Sequence, residues 1–355
     1  MTTENRENND LNNHVGYLDG WRGLAIVTLL IGHFFPVPGL NFGTIGVNLF
    51  FVLSGLLMGG LLFEKREPLS KFYRRRIARI IPAHIAFLSI ISIVSMTFGL
   101  PFSLREFFSA LLFVNNYIPP DGGPGHAVMP FGHIWSLSVE EHSYVALSLI
   151  AISSRKHLLS STAGVAVFFG ATACFAMYYQ WMNPPNLAFT KWLHTEVAAY
   201  GLLATALWVA AGKAFPEKLR ANVVAPAFLF FGTALHWWSM PLSVQRLLGV
   251  ACFAIAICAL TVTKGWFASL LSWAPLRFLG TWSFSLYIWQ QPFYLWVHSE
   301  MHPSPLLGLA LALACGLLSF YLIERPARAY LNANWGAKTA SLLPVKPIAS
   351  SDVAH

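Results

Sequence analysis

Apolar runs nearly free of charge, most of them close to a bilayer in length, restrict the folds open to this chain more than any other feature. They lie near 24–38, 42–63, 80–100, 133–153, 161–182, 187–211, 222–238, 244–263, 277–298 and 304–323. Hydrocarbon offers no water to backbone N–H and C=O groups, so a spanning segment must satisfy them internally as a helix, with ~20 residues crossing ~30 Å. Hydrophobic residues make up 56% of the chain and charged ones 11%, more apolar surface than a soluble domain of this size can bury. The fold class predicted is an all-α polytopic membrane protein of about ten transmembrane helices. A shorter amphipathic stretch at 106–114 reads as an added re-entrant or interfacial helix.

Charge then sets orientation. With ten spans, the basic residues of 65–79, 155–156, 213–220, 264–277 and 325–328 share one side, whereas Arg105, Lys191 and Arg246 lie on the other. The positive-inside rule places both termini of this multi-pass protein in the cytoplasm. Orientation accounts for the net charge of +8, so no nucleic-acid partner is expected. Residues 1–16 are polar and lack the features of a secretory signal, so the first span is expected to stay as an uncleaved anchor. Residues 17–324 read as one membrane domain without internal repeats, and 325–355 as a cytoplasmic tail. Cys174, Cys252, Cys258 and Cys315 sit in apolar runs without metal-ligand spacing, which predicts packing roles, no disulfide framework and no metal.

Four groups of residues are able to do chemistry. Arg22 and His33 fall on one face of the first helix about 16 Å apart, a spacing suited to two ends of one long ligand. Asp19, three residues before Arg22, is placed to orient it. Arg76 and Arg79 share a face where a basic loop enters the third span; paired guanidinium forks suit phosphate oxygens, although topology alone also explains basic residues there. Counted by helical rise, His33 and Tyr287 lie ~14 Å and Glu140 ~21 Å from the inner membrane edge. A carboxylate at that depth needs a partner or water, which predicts a polar cavity shared by imidazole, carboxylate and phenol. Gln290 and Gln291 precede Pro292, where the helix ladder is interrupted and a ligand or water can enter. Glycines between 43 and 60 read as helix contacts, with Asn48 and Ser54 as the polar exceptions.

Six ordered motifs, L-D-G-W-R-G with Arg22 and His33, G-V-N-L-F-F-V-L-S-G at 46–55, R-x-x-R at Arg76 and Arg79, W-S-L-S-V-E at 135–140, S-F-S-L-Y-I-W at 283–289 and I-E-R-P at 323–326, make the chain resemble the acyltransferase-3 family of integral-membrane O-acyltransferases over nearly its whole length. The resemblance implies transfer of an acyl group, often acetyl, from cytoplasmic acyl-CoA to a hydroxyl of a sugar, cell-envelope glycan or glycosylated small molecule. Acyl-CoA would be a co-substrate, with no tightly bound cofactor. Arg22, Arg76 and Arg79 would hold the donor's phosphates, and Tyr287 its thioester oxygen. His33 would act as general base or transient acyl carrier, with Glu140 binding acceptor hydroxyls or tuning it. Two positions depart from the family pattern: His142-Ser143 stands where Gln-Phe is usual, and Gln290 where many members carry histidine. No fused hydrolase-like outer domain is expected, which makes transfer by the membrane domain itself the simpler expectation, with a separate outer-face partner protein left open. A transporter or flippase of an acyl donor or glycan is the alternative reading; it would favour structural repeats, which the sequence lacks.

Overall fold

The computed structural model describes residues 3–118, 129–182, 191–215, 222–262 and 265–341. Part of the Pro- and Gly-rich loop at 115–132, the start of the run at 187–211 and the last residues of the tail lie outside these. The described residues are helical, with isolated β-bridges but no strands. In chain order they form α1 (Thr3–Phe34), α2 (Phe42–Gly59, continued by a π-helical turn Gly60–Glu64), α3 (Leu69–Thr97), α4 (Leu104–Leu111), α5 (Trp135–Arg155) and α6 (Ser161–Met182). There follow α7 (Tyr200–Ala210), α8 (Val224–Leu235), α9 (Val250–Val262, preceded by π-helical Val244–Gly249), α10 (Trp266–Leu271), α11 (Ala274–Val297), α12 (Pro305–Ser319, continued by π-helical Phe320–Glu324) and α13 (Arg325–Ser341).

Among the described residues, five helical segments are long and apolar enough to cross a membrane: Phe42–Glu64, Leu69–Thr97, Ser161–Met182, Val244–Val262 and Pro305–Trp335. The expected count of about ten is not reached by this measure. Helices α7 and α8 have 11 and 12 residues, which reach only about 16–18 Å. Helices α1, α5 and α11 are long, with 32, 21 and 24 residues, but carry the polar side chains of the functional region. Helix α4, at 8 residues, rises only about 12 Å and cannot span. Ser103 caps it by accepting from the Glu106 N–H at 3.1 Å, and Glu106, Ser109 and Ala110 are buried. After Glu324, α13 continues the chain as helix to Ser341 and packs on α3.

Helix α1 packs most extensively on α11 and α2, and its sequence explains how. A Cβ at Gly280 would collide with the Asp19 carbonyl oxygen, so α1 and α11 meet backbone to backbone through a glycine. Trp21, fully buried, donates from Nε1 to the Leu49 carbonyl at 2.9 Å, tying α1 to α2. Part of the L-D-G-W-R-G motif is therefore a helix-packing device, which leaves Asp19 and Arg22 as its polar face. Pro292 lies inside α11; lacking an N–H, it leaves the Ile288 carbonyl without its helical partner.

Candidate functional site

Two cavities lie between α1, α2, α5 and α11. The arginine cavity, about 100 Å³, is lined by Arg22, Arg76, Arg79, Ser54 and Glu140 among others. The histidine cavity, about 1260 Å³, is lined by His33, His133, Gln291 and Tyr294, and by the loop at Asn115–Tyr117. Val47 and Tyr287 line both. His33, Glu140 and Tyr287 thus do not share one chamber as the depth estimate predicted. Depth fixes a single coordinate, and lateral packing puts His33 and Glu140 on opposite sides of a wall that contains Tyr287.

In the arginine cavity the basic residues differ sharply. Arg22 pairs with Asp19 at 2.6 Å, the i, i+3 contact the sequence suggested. Arg76 is committed to carboxylates: its Nε donates to Glu141 at 2.9 Å and its Nη2 to Glu140 at 3.2 Å, while its guanidinium carbon lies 3.4 Å from the centre of the Tyr144 ring. Arg79 makes no hydrogen bond or ion pair among the described residues and lines the cavity beside Arg22. The R-x-x-R motif therefore contains one structural and one open guanidinium. Glu140 is engaged as well, since it accepts from Ser54 at 2.8 Å, Tyr144 at 3.0 Å and Arg76. Of the two polar exceptions among the α2 glycines, Ser54 lines this cavity, whereas Asn48 lies 3.1 Å from His236 Nε2 and lines neither cavity.

Tyr287 is 6% exposed. Its hydroxyl donates to the His133 carbonyl at 2.6 Å and lies 2.6 Å from Ser136 Oγ. Ser136 Oγ also lies 3.4 Å from the His133 carbonyl, so the two hydroxyls and that carbonyl form one closed triangle in which each hydroxyl has a single proton to give. These contacts engage the Tyr287 hydroxyl and tie α11 to the start of α5.

His33 presents a different environment. Its Nδ1 lies 2.7 Å from Gln290 Oε1, and its ring stacks on Tyr294 with centroids 4.4 Å apart. His133 is buried in the wall of the same cavity, and neither ring nitrogen makes a hydrogen bond of normal geometry. The Ile288 carbonyl freed by Pro292 faces that ring. The sequence reading singled out neither His133 nor Glu141; a buried histidine two residues before a W-S-L-S-V-E run and an acid next to Glu140 were the available signals.

The rim of the histidine cavity is cross-linked by hydrogen bonds. Glu196 accepts from Tyr117 at 2.7 Å and Tyr179 at 2.8 Å. Thr195 Oγ1 accepts from Asn116 at 3.1 Å and lies 2.8 Å from His142 Nδ1. Burial, opposed by Thr195 and reinforced by Glu196, raises the Tyr117 phenol above its ordinary range. His142, one of the two departures from the family pattern, thus serves the rim. Lys191 and Trp238 complete it with a cation and an exposed aromatic face. Among the described residues, no group of three His, Cys, Asp or Glu is placed to hold a metal.

The family profile described as "Acyltransferase domain" matches residues 15–325. The chain is 26% identical over 88% of its length to YrhL of Bacillus subtilis (strain 168), named as a candidate peptidoglycan O-acetyltransferase, and covers 54% of that protein. It is 23% identical over 93% of its length to the O-acetyltransferase OatA of Staphylococcus aureus (strain NCTC 8325 / PS 47), covering 59% of it. The chain thus spans little more than half the length of these curated relatives. No solved structure matches it.

Proposed function

The chain belongs to the acyltransferase-3 family, and from that premise we propose that it is a membrane O-acetyltransferase that moves an acetyl group from cytoplasmic acetyl-CoA to a hydroxyl of a cell-envelope glycan, peptidoglycan being the acceptor class suggested by its relatives' names. The observation that carries the reading is the pair of cavities of unlike chemistry that share Val47 and Tyr287. The narrow one is basic and suits an extended thioester arm with its phosphates at the arginine end. The wide one exceeds the roughly 300–1,000 Å³ of small-molecule pockets and suits a sugar chain.

Arg79, with Arg22 held by Asp19, binds donor phosphates, because an open guanidinium fork matches phosphate oxygens. Arg76 contributes by holding Glu140 and Glu141, fixing the start of α3 against α5. The pantetheine arm runs toward Val47 and Tyr287, which brings the thioester near His33. There His33 takes the proton of the acceptor hydroxyl as the oxygen forms its bond to the acyl carbon. The C–S bond breaks, and the departing CoA thiolate takes that proton from the imidazolium. Glu140, spent on Arg76, Ser54 and Tyr144, serves the architecture of the donor end. The basic end faces the cytoplasm and the wide cavity the outer side, as the positive-inside rule requires.

The test is purified protein with radiolabelled acetyl-CoA and peptidoglycan fragments. Label is expected in the glycan. Transport of glycan or donor across vesicles without label transfer would replace the enzyme by a flippase.

A further inference from the structure

We infer that Gln290 is the positioning residue for His33: it fixes the neutral imidazole in the Nδ1–H tautomer, so that the lone pair sits on Nε2. The inference rests on the acyl-transfer reading for its purpose but on geometry for its content. An amide oxygen accepts and never donates, so the 2.7 Å contact between His33 Nδ1 and Gln290 Oε1 places the ring proton on Nδ1. Gln290 is itself held in that orientation, because its Nε2 donates to Gln291 Oε1 at 3.2 Å. It has no exposed surface, so water does not compete for it. Only the reversal of both amides together would turn Nδ1 into an acceptor, and that would put the proton on Nε2 and abolish the base.

Two further contacts complete the device. Tyr294, stacked on the imidazole, restricts rotation of the ring. At Gly43 an added Cβ would stand 2.9 Å from His33 Nε2, so the helix α2 backbone leaves a gap over the nitrogen that carries the lone pair. The titratable groups around His33 are Tyr294 on α11, His298 just after it, Tyr287 at the wall and His133 ahead of α5; the carboxylate that lines the same cavity, Glu106, accepts from the Met129 N–H at 2.7 Å. Gln290 is an amide and exchanges no proton at neutral pH, so it orients His33 without relaying. The proton taken from an acceptor therefore stays on His33 until the leaving thiolate removes it.

The experiment uses the full chain in detergent micelles, labelled with 15N-histidine, with the His33 signals assigned by their loss in His33→Gln. The wild-type ring is expected to show the Nδ1–H tautomer, a measurement that needs neither turnover nor a variant. In Gln290→Leu the tautomers are expected to mix, and kcat to fall about 10–100-fold, the usual loss when a group that orients another is removed. KM for acetyl-CoA should stay unchanged. Gln290→Glu, which keeps an acceptor at the same place, is expected to restore both the tautomer and most of kcat. An Nε2–H tautomer in the wild type, or wild-type tautomer and kcat in Gln290→Leu, would overturn the assignment. An Nδ1–H tautomer in a protein that transfers no acetyl group would uphold the positioning role and remove the acyl-transfer reading alone.

Discussion

The arginine and histidine cavities share two wall residues, yet they are held together by opposite means. At the arginine end, charges are matched: Asp19 with Arg22, and Glu140 and Glu141 with Arg76, leaving Arg79 open. At the histidine end no ion pair touches His33, which is placed by an amide, a phenol ring and a glycine, and the cavity's carboxylate, Glu106, accepts from the Met129 N–H at 2.7 Å. An ion-paired wall can bind a polyanion without collapsing around it, because its structural charges are already satisfied. An imidazole without an ion-pair partner stays free to gain and lose a proton. The difference teaches that an ion-paired cavity and one built around a histidine can lie side by side with only Val47 and Tyr287 common to both.

The largest effect should come from the histidine end. His33→Ala is expected to lower acetyl transfer by about 10²–10⁴-fold, the usual share of a general base, with acetyl-CoA affinity unchanged in equilibrium binding; retained activity would erase the distinction between the two ends. Next, Val47→Phe should thicken the partition. Transfer is expected to drop by about tenfold or more, since displacement of a reacting group by ~1 Å costs up to 10²-fold, while each ligand still binds at its own end. If transfer survives, the route does not pass the shared wall.

The two arginines separate binding from architecture. Arg79→Ala is expected to weaken acetyl-CoA binding about 10–100-fold, the equivalent of losing one or two charge-assisted hydrogen bonds, with thermal stability intact. Arg76→Ala leaves Glu140 and Glu141 without their cation and should destabilise the fold by about 3–5 kcal/mol, read as a lower denaturation midpoint. Equal effects of the two variants on binding alone would mean that the ion pairs open in the bound state. The smallest change is expected at the rim: Trp238→Ala should raise KM for a glycan acceptor a few-fold, the ~1 kcal/mol of one lost stacking contact, and leave KM for acetyl-CoA as it was.

Much of the arginine cavity was legible in the sequence because one of its main contacts is local. Asp19 and Arg22 are three residues apart on a helix, and rotation per residue brings them together in almost any tertiary setting. The R-x-x-R spacing likewise put Arg76 and Arg79 on one face, but it was silent on which guanidinium would be spent on α5. The depth estimate set His33 and Tyr287 at one level without seeing that Tyr287 stands in a wall. Glycines 20, 23 and 280 were partly concealed, since a motif that carries chemistry also carried the close contacts of α1 with α10 and α11.

By itself the sequence determined an all-helical protein built for a bilayer, because long apolar runs leave the backbone no other way to satisfy its hydrogen bonds. It also determined the inventory of reactive groups and, through six ordered motifs, the family. Tertiary structure alone decided which of those groups meet. His33 finds Gln290 257 residues away, Arg76 finds Glu141 65 residues away, and one tyrosine divides two cavities. Helical rotation and rise fix neighbours within a turn or two, whereas contacts between helices depend on how side chains of unlike size interlock, and that information is spread over the whole chain.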